Sequence, residues 1–488
     1  MHQHEPYRWT AVQAAQALED KSISAVELAQ AVITQIERTN RPINAICAPD
    51  YSRAIEVAHK ADECLARGER KALLGIPVTI KEMLNVAGLP TTYGYAAHRD
   101  FVPDNDALVV ARARKAGAVI IGKVNAPTGG ADWQTFNEVY GVTNNPFDLT
   151  KTCGGSSGGS AAALAMGFGP LSIGSDIAGS LRVPANFCGV FAHKPSVNVV
   201  PVRGHTAPRQ YPLAGNTDML VVGPMARSAA DLSLLLDTIA GPDDLEDGIG
   251  YQLHLRAARH NRLSDFRILV LNAHPLTPTD AEMQEVIDDL AGNLERAGAT
   301  VVRQSELLPN LDAAARLYVR LLNSASSVFL PDDVFSSVQA VVAKIDPEKK
   351  TFYADYLRGI TLTHRDWVVV DAHRRGFRAR WRRFFGEFDA LICPSAPTPA
   401  FPHDPKGGIE DRVLEINGEQ HPYRNLMVWP SIATAPGLPS TAIPVAMSKS
   451  GLPIGVQIIG PYLEDRTVLK LAELIEREHG GFHAPAII

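Results

Sequence analysis

The sequence predicts an α/β layered fold, in which strands and helices alternate along the chain. The clearest alternation is a strand at 267–272, a helix at 279–297 and a second strand at 300–302. An earlier helical pattern at 107–116 is likewise followed by a short, apolar and β-branched run at 118–124. Strands that alternate with amphipathic helices in this way are typical of a sheet covered by helices.

The remaining elements follow from the same periodicities. Residues 1–65 are predicted to be helical, because two capping boxes, Thr10–Gln13 and Ser24–Glu27, each precede apolar residues at helical spacing. A short apolar run at 73–80 predicts a strand that ends on Lys81. Further helices are predicted at 227–240, 310–325, 364–387 and 465–478, and further strands at 441–446 and 453–459.

The composition excludes several classes of protein. The net charge of −6 gives no reason to expect nucleic-acid binding. The apolar runs are far shorter than a membrane span, and the N-terminal residues lack the basic and apolar regions of a secretory signal. The five cysteines are scattered without zinc-site spacing, which indicates reduced thiols in a cytoplasmic protein. Since no linker interrupts residues 1–488, we expect them to form a single domain.

The densest cluster of small residues lies between Cys153 and Ser180. It contains a glycine-serine run at 154–160, an alanine-rich helical pattern at 161–165 and a second small-residue turn at 175–180. Glycine loses more conformational freedom on folding than any other residue, so its repeated use indicates that the backbone must approach something closely here. The serines of this segment are candidate nucleophiles.

Two motif matches nearby are weak. Gly117–Lys123 almost matches a phosphate-binding loop, but Val124 replaces the required Ser or Thr and the intervening residues are predicted to be a strand. Gly154–Gly158 matches the nucleophile elbow of α/β-hydrolases, which needs an apolar strand before it, and 148–153 is predicted to be a poor strand. The histidines show no metal-ligand spacing, so no metal site is predicted.

The predicted helix at 364–387 is rich in arginine with interleaved aromatic residues. Such a pattern can indicate a nucleic acid or an acidic partner. The acidic net charge of the chain instead favours an amphipathic helix with a solvated basic face.

Lys81 is a candidate base. It ends an apolar strand pattern, Gly75–Lys81, which would place its ammonium group inside the protein. Burial disfavours the charged form and lowers the pKa of a lysine, so a buried lysine can accept a proton from a serine near neutral pH. A lone lysine at a strand end is more often a surface residue, and the sequence alone leaves both interpretations open.

Several motifs follow one another in an order that resembles the amidase-signature hydrolases along nearly the whole chain. Gly75–Lys81 resembles the strand that carries the family's catalytic lysine, Gly154–Ser160 its glycine-serine loop and Gly174–Arg182 its nucleophile turn. Further similar segments are Pro184, Phe187–Gly189, Lys194-Pro195, Gly223–Arg227 and Gly451–Gly460. The resemblance implies one α/β domain with a central twisted mixed β-sheet and helices on both faces.

The resemblance also implies a Ser-Ser-Lys triad. Ser180 would be the nucleophile, Ser156 a bridging serine in a cis peptide, and Lys81 the base that acts through Ser156. The oxyanion hole would consist of consecutive backbone N–H groups, those of Ile177, Ala178, Gly179 and Ser180. No cofactor is implied.

The chain departs from the family pattern at a few positions. Ala178 stands where the family usually has glycine, and alanine tolerates a positive φ less well. Cys153 replaces a common proline, Glu82 a common aspartate, and Ala192–Lys194 the usual glycine before Lys-Pro. None of these changes removes a catalytic group.

The activity implied is hydrolysis of the C–N bond of a carboxamide, with a small-molecule amide as the substrate. One alternative is the glutaminase A subunit of a tRNA-dependent amidotransferase, which usually carries polar residues before its Gly-Pro motif. Here Leu220–Val222 precede Gly223, which favours a free-standing amidase.

The same motifs also fit an amidase-fold esterase or carbamate hydrolase (urethanase). A non-catalytic scaffold that kept the fold fits them less well, because all three catalytic positions are intact. The oligomeric state is open, with a homodimer as one option.

Substrate specificity is expected to come from the variable region at 305–440. This region contains aromatic residues that are candidate pocket walls, although core packing is the more common role of such side chains: Tyr318, Trp367, Trp381 and Trp429.

Overall fold

The structure is a computed structural model that describes residues 5–208 and 217–486. Its strands are β1 (Ile46–Pro49), β2 (Pro77–Lys81), β3 (Val119–Val124), β4 (Phe136–Asn137), β5 (Gly141–Val142), β6 (Asn144–Asn145), β7 (Asp148–Thr152), β8 (Leu171–Asp176), β9 (Phe191–Lys194), β10 (Val221–Ala226), β11 (Arg267–Val270), β12 (Thr300–Val302), β13 (Ala390–Pro394), β14 (Val413–Ile416), β15 (Glu419–Pro422), β16 (Ser440–Met447) and β17 (Pro453–Ile459). Its α-helices are α1 (Ala11–Glu19), α2 (Ala25–Ile43), α3 (Tyr51–Ala66), α4 (Leu108–Lys115), α5 (Gly158–Ala165), α6 (Arg182–Phe187), α7 (Ala229–Ile239), α8 (Ala281–Arg296), α9 (Leu311–Ser326), α10 (Asp332–Val342), α11 (Phe352–Ile360), α12 (His364–Phe384), α13 (Val428–Thr434) and α14 (Asp465–His479).

Eleven of these strands form one mixed sheet, in the order β1-β3-β2-β8-β10-β9-β16-β17-β13-β11-β12. Two parallel groups, β3-β2-β8 and β13-β11-β12, flank an antiparallel centre. The remaining strands form small two-stranded sheets, and helices pack against the large sheet. This architecture confirms the predicted α/β fold class with its central mixed sheet.

The register of the sheet places the end of β2 beside the end of β8. The two strands are parallel and pair Ile80 with Ile173, so Lys81 lies beside the last residues of β8. On the other side of β8, the antiparallel β10 pairs Val222 with Ser175. The carboxyl ends of neighbouring parallel strands are where open α/β sheets commonly carry their sites.

Helix α5 lies at the centre of the molecule. All of its residues are buried, and it contacts β2, β3, β8, β10 and α6. Its glycine and alanine side chains are small enough for such close packing, which explains the composition of 158–165. The helix predicted in the alanine-rich run is therefore confirmed.

Most of the other predicted elements are also confirmed, with ends that differ by a few residues. The capping boxes at Thr10 and Ser24 are both formed. The run that mimics a phosphate-binding loop lies largely within β3, as predicted. Residues 5–65 are helical except for the edge strand β1, which is too short to show a periodic pattern.

The sequence prediction is wrong in one segment and incomplete in others. Residues 148–153 are predicted to be a poor strand, but Asp148–Thr152 forms β7, which pairs with β6 outside the large sheet. Strands β8, β9, β10 and β13 are not predicted. They are short and every residue in them is buried, including polar residues such as Ser172 and His193, so no solvated face marks them in the sequence.

Candidate active site

Lys81 is fully buried at the end of β2. Its Nζ lies 2.6 Å from Oγ of Ser156 and 3.0 Å from Oγ of Ser175. Because Ser156 lies 75 residues further along the chain, tertiary folding makes this contact. The structure thus brings two of the three predicted triad residues into direct contact.

Burial dominates the electrostatics of Lys81. It lowers the pKa of Lys81 to about 7, although the charge of Asp176 favours the ammonium form. A large fraction of this lysine is therefore neutral near pH 7. A neutral amine carries two N–H donors and one lone pair, which suits a position between two hydroxyl groups.

Ser156 lies in the glycine-serine loop, and the peptide bond between Gly155 and Ser156 is cis, as the resemblance implies. The glycines of this loop allow the chain to pack against itself. A Cβ atom on Gly159 would lie 2.4 Å from the carbonyl oxygen of Asn125. The dense glycines predict that the backbone approaches something closely here. At Gly159 it approaches the backbone of Asn125.

Ser157 connects this loop to the strand and turn beside it. Its N–H donates to the carbonyl oxygen of Ser180 at 3.0 Å, and its Oγ donates to the carbonyl oxygen of Ser175 at 3.1 Å. These hydrogen bonds hold the loop that carries Ser156 against the segment that carries Ser180.

The turn between β8 and α6 carries Ser180, whose exposed fraction is 5%. Gly179 in this turn has a φ of +94°, and a Cβ atom there would lie 2.6 Å from Cγ of Pro430. Both conformation and space therefore require glycine at 179. Ala178 is not among the residues with positive φ, so alanine is compatible with this turn.

The carboxylate of Asp176 supports the turn from within. It accepts the N–H groups of Gly179 at 2.9 Å and Leu181 at 3.1 Å, and two N–H groups of Arg182 at 3.0 Å. Burial alone would raise the pKa of Asp176, but the charge and hydrogen bonds of Arg182 bring it down to about 2. The turn therefore folds around a buried and ionised carboxylate.

Two aromatic side chains hold the carbonyl groups of the same turn. The hydroxyl of Tyr318 donates to the carbonyl oxygen of Ile177 at 3.0 Å, and Nε1 of Trp133 donates to that of Ala178 at 2.8 Å. In a trans peptide the C=O and N–H groups point in opposite directions. These bonds therefore direct the next N–H groups, those of Ala178 and Gly179, away from the aromatic side chains.

Within the described residues, one N–H group of the predicted oxyanion hole has a partner inside the protein. The N–H of Gly179 donates to Oδ1 of Asp176, so it could bind a substrate oxygen only by sharing this bond. The other groups of the predicted hole are the N–H groups of Ile177, Ala178 and Ser180.

Further polar side chains extend from Lys81 through Ser175, and no sequence motif marks those beyond Ser175. Oγ of Ser175 lies 2.9 Å from Nε2 of His205, and Nδ1 of His205 lies 3.0 Å from the hydroxyl of Tyr93. Burial, and then the charge of Lys81, lower the pKa of His205 to about 3, so its imidazole is neutral. His205 is a lone histidine with no spacing signal, and only its tertiary contacts identify it.

The aromatic residues expected as candidate pocket walls have different surroundings. Tyr318 contacts the turn as described above. Trp381 and Trp429 are buried in one hydrophobic cluster, where they take the core-packing role. Trp367 is partly buried at the edge of a second cluster that contains Tyr318 and Trp133. Trp133 contacts the turn directly through its Nε1, although no sequence pattern marks it.

All five cysteines are free thiols. Within residues 5–208 and 217–486, no group of three or more His, Cys, Asp or Glu side chains is placed to hold a metal ion. None of the helices in the described part of the chain combines the length and the apolar character needed to cross a membrane.

Comparisons with known proteins agree with the resemblance of the motifs. The family model described as Amidase matches residues 27–469. Indoleacetamide hydrolase of Bradyrhizobium diazoefficiens is 30% identical to this chain, over 97% of this chain and 87% of that protein. The A subunit of the glutamyl-tRNA(Gln) amidotransferase of an Anaeromyxobacter species is also 30% identical, over 95% of each chain. The crystal structure of an amidase is 27% identical, with a TM-score of 0.77 over 97% of this chain and 100% of that chain.

Proposed function

The chain belongs to the amidase-signature family of hydrolases, and on this premise we propose that it cleaves the C–N bond of a carboxamide through a covalent acyl-enzyme. In this proposal Ser180 is the nucleophile, Ser156 the proton relay and Lys81 the base. The observation that carries it is the 2.6 Å contact between Nζ of Lys81 and Oγ of Ser156 in a buried site. A lysine with its pKa lowered to about 7 can accept a proton there at neutral pH.

The first half of the reaction forms the acyl-enzyme. Neutral Lys81 takes the proton of the Ser156 hydroxyl while Ser156 takes that of Ser180, and Oγ of Ser180 attacks the carbonyl carbon. Negative charge develops on the carbonyl oxygen, and backbone N–H groups of residues 177–180 stabilise it. In a serine protease the loss of one such donor costs about 10²–10³ in rate, so the geometry of this turn matters greatly.

The second half releases the products. The proton held by Lys81 returns through Ser156 to the leaving nitrogen, the C–N bond breaks and the amine departs. Water then attacks the ester carbonyl of the acyl-enzyme and gives its proton to the same relay. The carboxylic acid leaves, and the proton returns to Oγ of Ser180, so no cofactor is needed to balance the reaction.

The proposal is tested by product release from a panel of amides, anilides, esters and carbamates. We expect Ser180→Ala to lower the amide turnover of the wild type by about 10³-fold or more, because the covalent step is lost. Ser160→Ala is the matched control: the Ser160 hydroxyl is buried on α5 and has no hydrogen-bond partner within the described residues. A Ser180→Ala protein that turned over amides at the wild-type rate would rule out this nucleophile.

The same panel separates the substrate classes. Esters and carbamates undergo the same acyl transfer, and the departure of their leaving groups depends less on protonation. A protein that hydrolysed these compounds and left every amide and anilide intact would be an esterase or a carbamate hydrolase on the amidase fold.

A second candidate function is glutamine hydrolysis within an amidotransferase complex, and the similarity to the amidotransferase A subunit supports it. Against it stand Val221 and Val222, where that protein usually has polar residues. Both are buried in β10 and pair with Asp176 and Ser175, immediately beside the site. Ammonia release from glutamine that appeared only after partner subunits were added would favour the glutaminase instead.

A further inference from the structure

The surroundings of Lys81 include a chain of hydrogen bonds that the proposed reaction does not use. It runs from Nζ of Lys81 to Oγ of Ser175 at 3.0 Å, and from there to Nε2 of His205 at 2.9 Å. It continues from Nδ1 of His205 to the hydroxyl of Tyr93 at 3.0 Å. Ser175 and Tyr93 are buried, and His205 is partly buried. These hydrogen bonds thus link the proposed base to a histidine that no step of the proposed reaction requires.

The Tyr93 end of these hydrogen bonds is anchored to the residue that follows β2. Glu82, the residue after Lys81, accepts the backbone N–H groups of Thr92 and Tyr93. The ring of Tyr93 meets that of His205 edge-on, with the ring centroids 5.9 Å apart. His205 is therefore held by Tyr93 on one side and by Ser175 on the other, at a defined distance from Lys81.

A neutral amine can accept only one hydrogen bond, and this limits which hydroxyl groups can donate to Lys81. Nζ of Lys81 has one lone pair, and this lone pair must face the Ser156 hydroxyl if Lys81 is to accept its proton. Ser175 must then accept an N–H from Lys81, so the Ser175 proton has to point elsewhere. Nε2 of His205 lies within reach and can accept this proton, because the lowered pKa keeps the imidazole neutral.

We propose that His205 is a positioning residue: by accepting the Ser175 proton, it turns the Ser175 oxygen toward Lys81 and leaves the lysine lone pair to Ser156. This inference rests on the proposed role of Lys81 as the base. Without an acceptor at 205, the Ser175 hydroxyl can donate to Nζ and compete with Ser156 for the single lone pair.

Substitutions at His205 distinguish an acceptor from a space-filling ring. His205→Phe keeps a ring and loses the acceptor. We expect kcat/KM to fall about 10- to 100-fold, as for a lost hydrogen bond in the network of Lys81, whose amine becomes charged when it accepts the proton. His205→Gln is expected to retain most of the activity, since its amide oxygen can take the place of Nε2. His205→Asn is the matched control, because its shorter side chain does not reach Ser175, and it should behave like His205→Phe.

A double-mutant cycle tests whether His205 acts through Ser175. Ser175→Ala removes the link, so adding His205→Phe to Ser175→Ala should lower the rate no further. If His205 served only the packing of this region, His205→Phe would lower the rate by the same factor in the Ser175→Ala background as in the wild type.

The pH dependence of kcat/KM provides a further measurement. A Ser175 hydroxyl that donates to Nζ stabilises the neutral amine, so the acid limb of His205→Phe should move to lower pH while the plateau falls. Within the described residues, the charged groups that interact with Lys81, Tyr93 or His205 are Asp176 on β8 and Glu82, which follows β2 and lies near Lys123. The His205→Phe substitution changes none of these groups. A packing defect would lower the plateau without moving the limb.

The rates should be measured with an anilide and, independently, by labelling of Ser180 with a fluorophosphonate, followed by mass spectrometry. Two results would overturn this inference and leave the proposed function standing. One is a His205→Phe rate equal to that of the wild type, and the other is a rate loss from His205→Phe that is as large in the Ser175→Ala background as in the wild type. A wild-type protein that neither hydrolysed amides nor was labelled at Ser180 would refute the proposed function, and this inference with it. Thermal melting of His205→Gln and His205→Asn shows that both variants are compared in the folded state.

Discussion

Lys81 can accept a proton only while its amine is neutral, and its surroundings decide at which pH this holds. Burial lowers its pKa to about 7, so below this pH the ammonium form predominates and has no lone pair for Ser156. We predict that kcat/KM for an uncharged anilide rises about tenfold per pH unit below the pKa and levels off about one unit above it. A pH–rate profile measures this directly.

The control for this prediction is Lys81→Arg, whose guanidinium stays protonated in proteins. It should be inactive across the whole profile, whereas the wild type recovers on the alkaline side. Activity of Lys81→Arg that rose with pH like that of the wild type would show that another group is the base.

At the scale of elements, β8, the turn after it and α6 form one unit held by Asp176 and Arg182. The guanidinium of Arg182 also donates to the carbonyl oxygen of Pro430 at 2.9 Å and to Oε1 of Gln457 at 2.8 Å, which connects the turn to α13 and β17. Arg182→Leu would leave the buried carboxylate of Asp176 without its counter-charge. We predict a loss of about 3–5 kcal/mol in the free energy of unfolding, measured by urea denaturation.

An exposed ion pair provides the comparison. Arg203 pairs with Asp243 at 2.7 Å, but 43% of the Arg203 side chain is exposed. Because water and salt screen such a pair, Arg203→Leu should cost no more than about 1 kcal/mol. Equal losses for the two leucine variants would mean that the Asp176–Arg182 pair does not hold the turn.

At the scale of the whole molecule, buried titratable groups make stability depend on pH. Burial lowers the pKa of Lys81 and Lys194 to about 7 and that of Lys123 to about 8. An unfolded chain keeps these lysines protonated up to their ordinary pKa, so above pH 7 it binds more protons than the folded chain. Stability rises with pH wherever the unfolded state binds more protons, by up to about 1.4 kcal/mol per pH unit for each lysine.

Buried thiols limit this rise at higher pH. Burial raises the pKa of several cysteines, so above about pH 8.5 the unfolded chain loses their protons first and stability falls. These cysteines are Cys47, Cys153, Cys188 and Cys393. We predict that the urea midpoint increases from about pH 7 to about pH 8.5 and then flattens or declines. A midpoint that fell steadily across the lower window would contradict the burial of uncharged lysines.

The sequence predicts helices well where one face of the helix meets water. Helices such as α2 and α8 show apolar residues at helical spacing because their other face is solvated, and capping residues mark where α1 and α2 begin. Strand β8 has no solvated face, and Ser172, Gly174 and Ser175 interrupt its apolar residues, so no pattern marks it although it supplies Ser175 and Asp176 to the site. Strand β2 is equally buried, but its apolar and β-branched run predicts it from the sequence.

The amino-acid sequence alone specifies the residue types that the proposed chemistry needs: a lysine at the end of a strand, a glycine-serine loop and a small-residue turn. The order of these motifs was sufficient to identify the family. Which of these groups contact one another depends on the tertiary fold. Contacts such as Lys81 to Ser175, Ser175 to His205, and Tyr318 to the carbonyl of Ile177 join residues that are distant in the chain. The lowered pKa of Lys81 has the same origin, because desolvation depends on how completely the packed sheet and loops exclude water from one nitrogen atom.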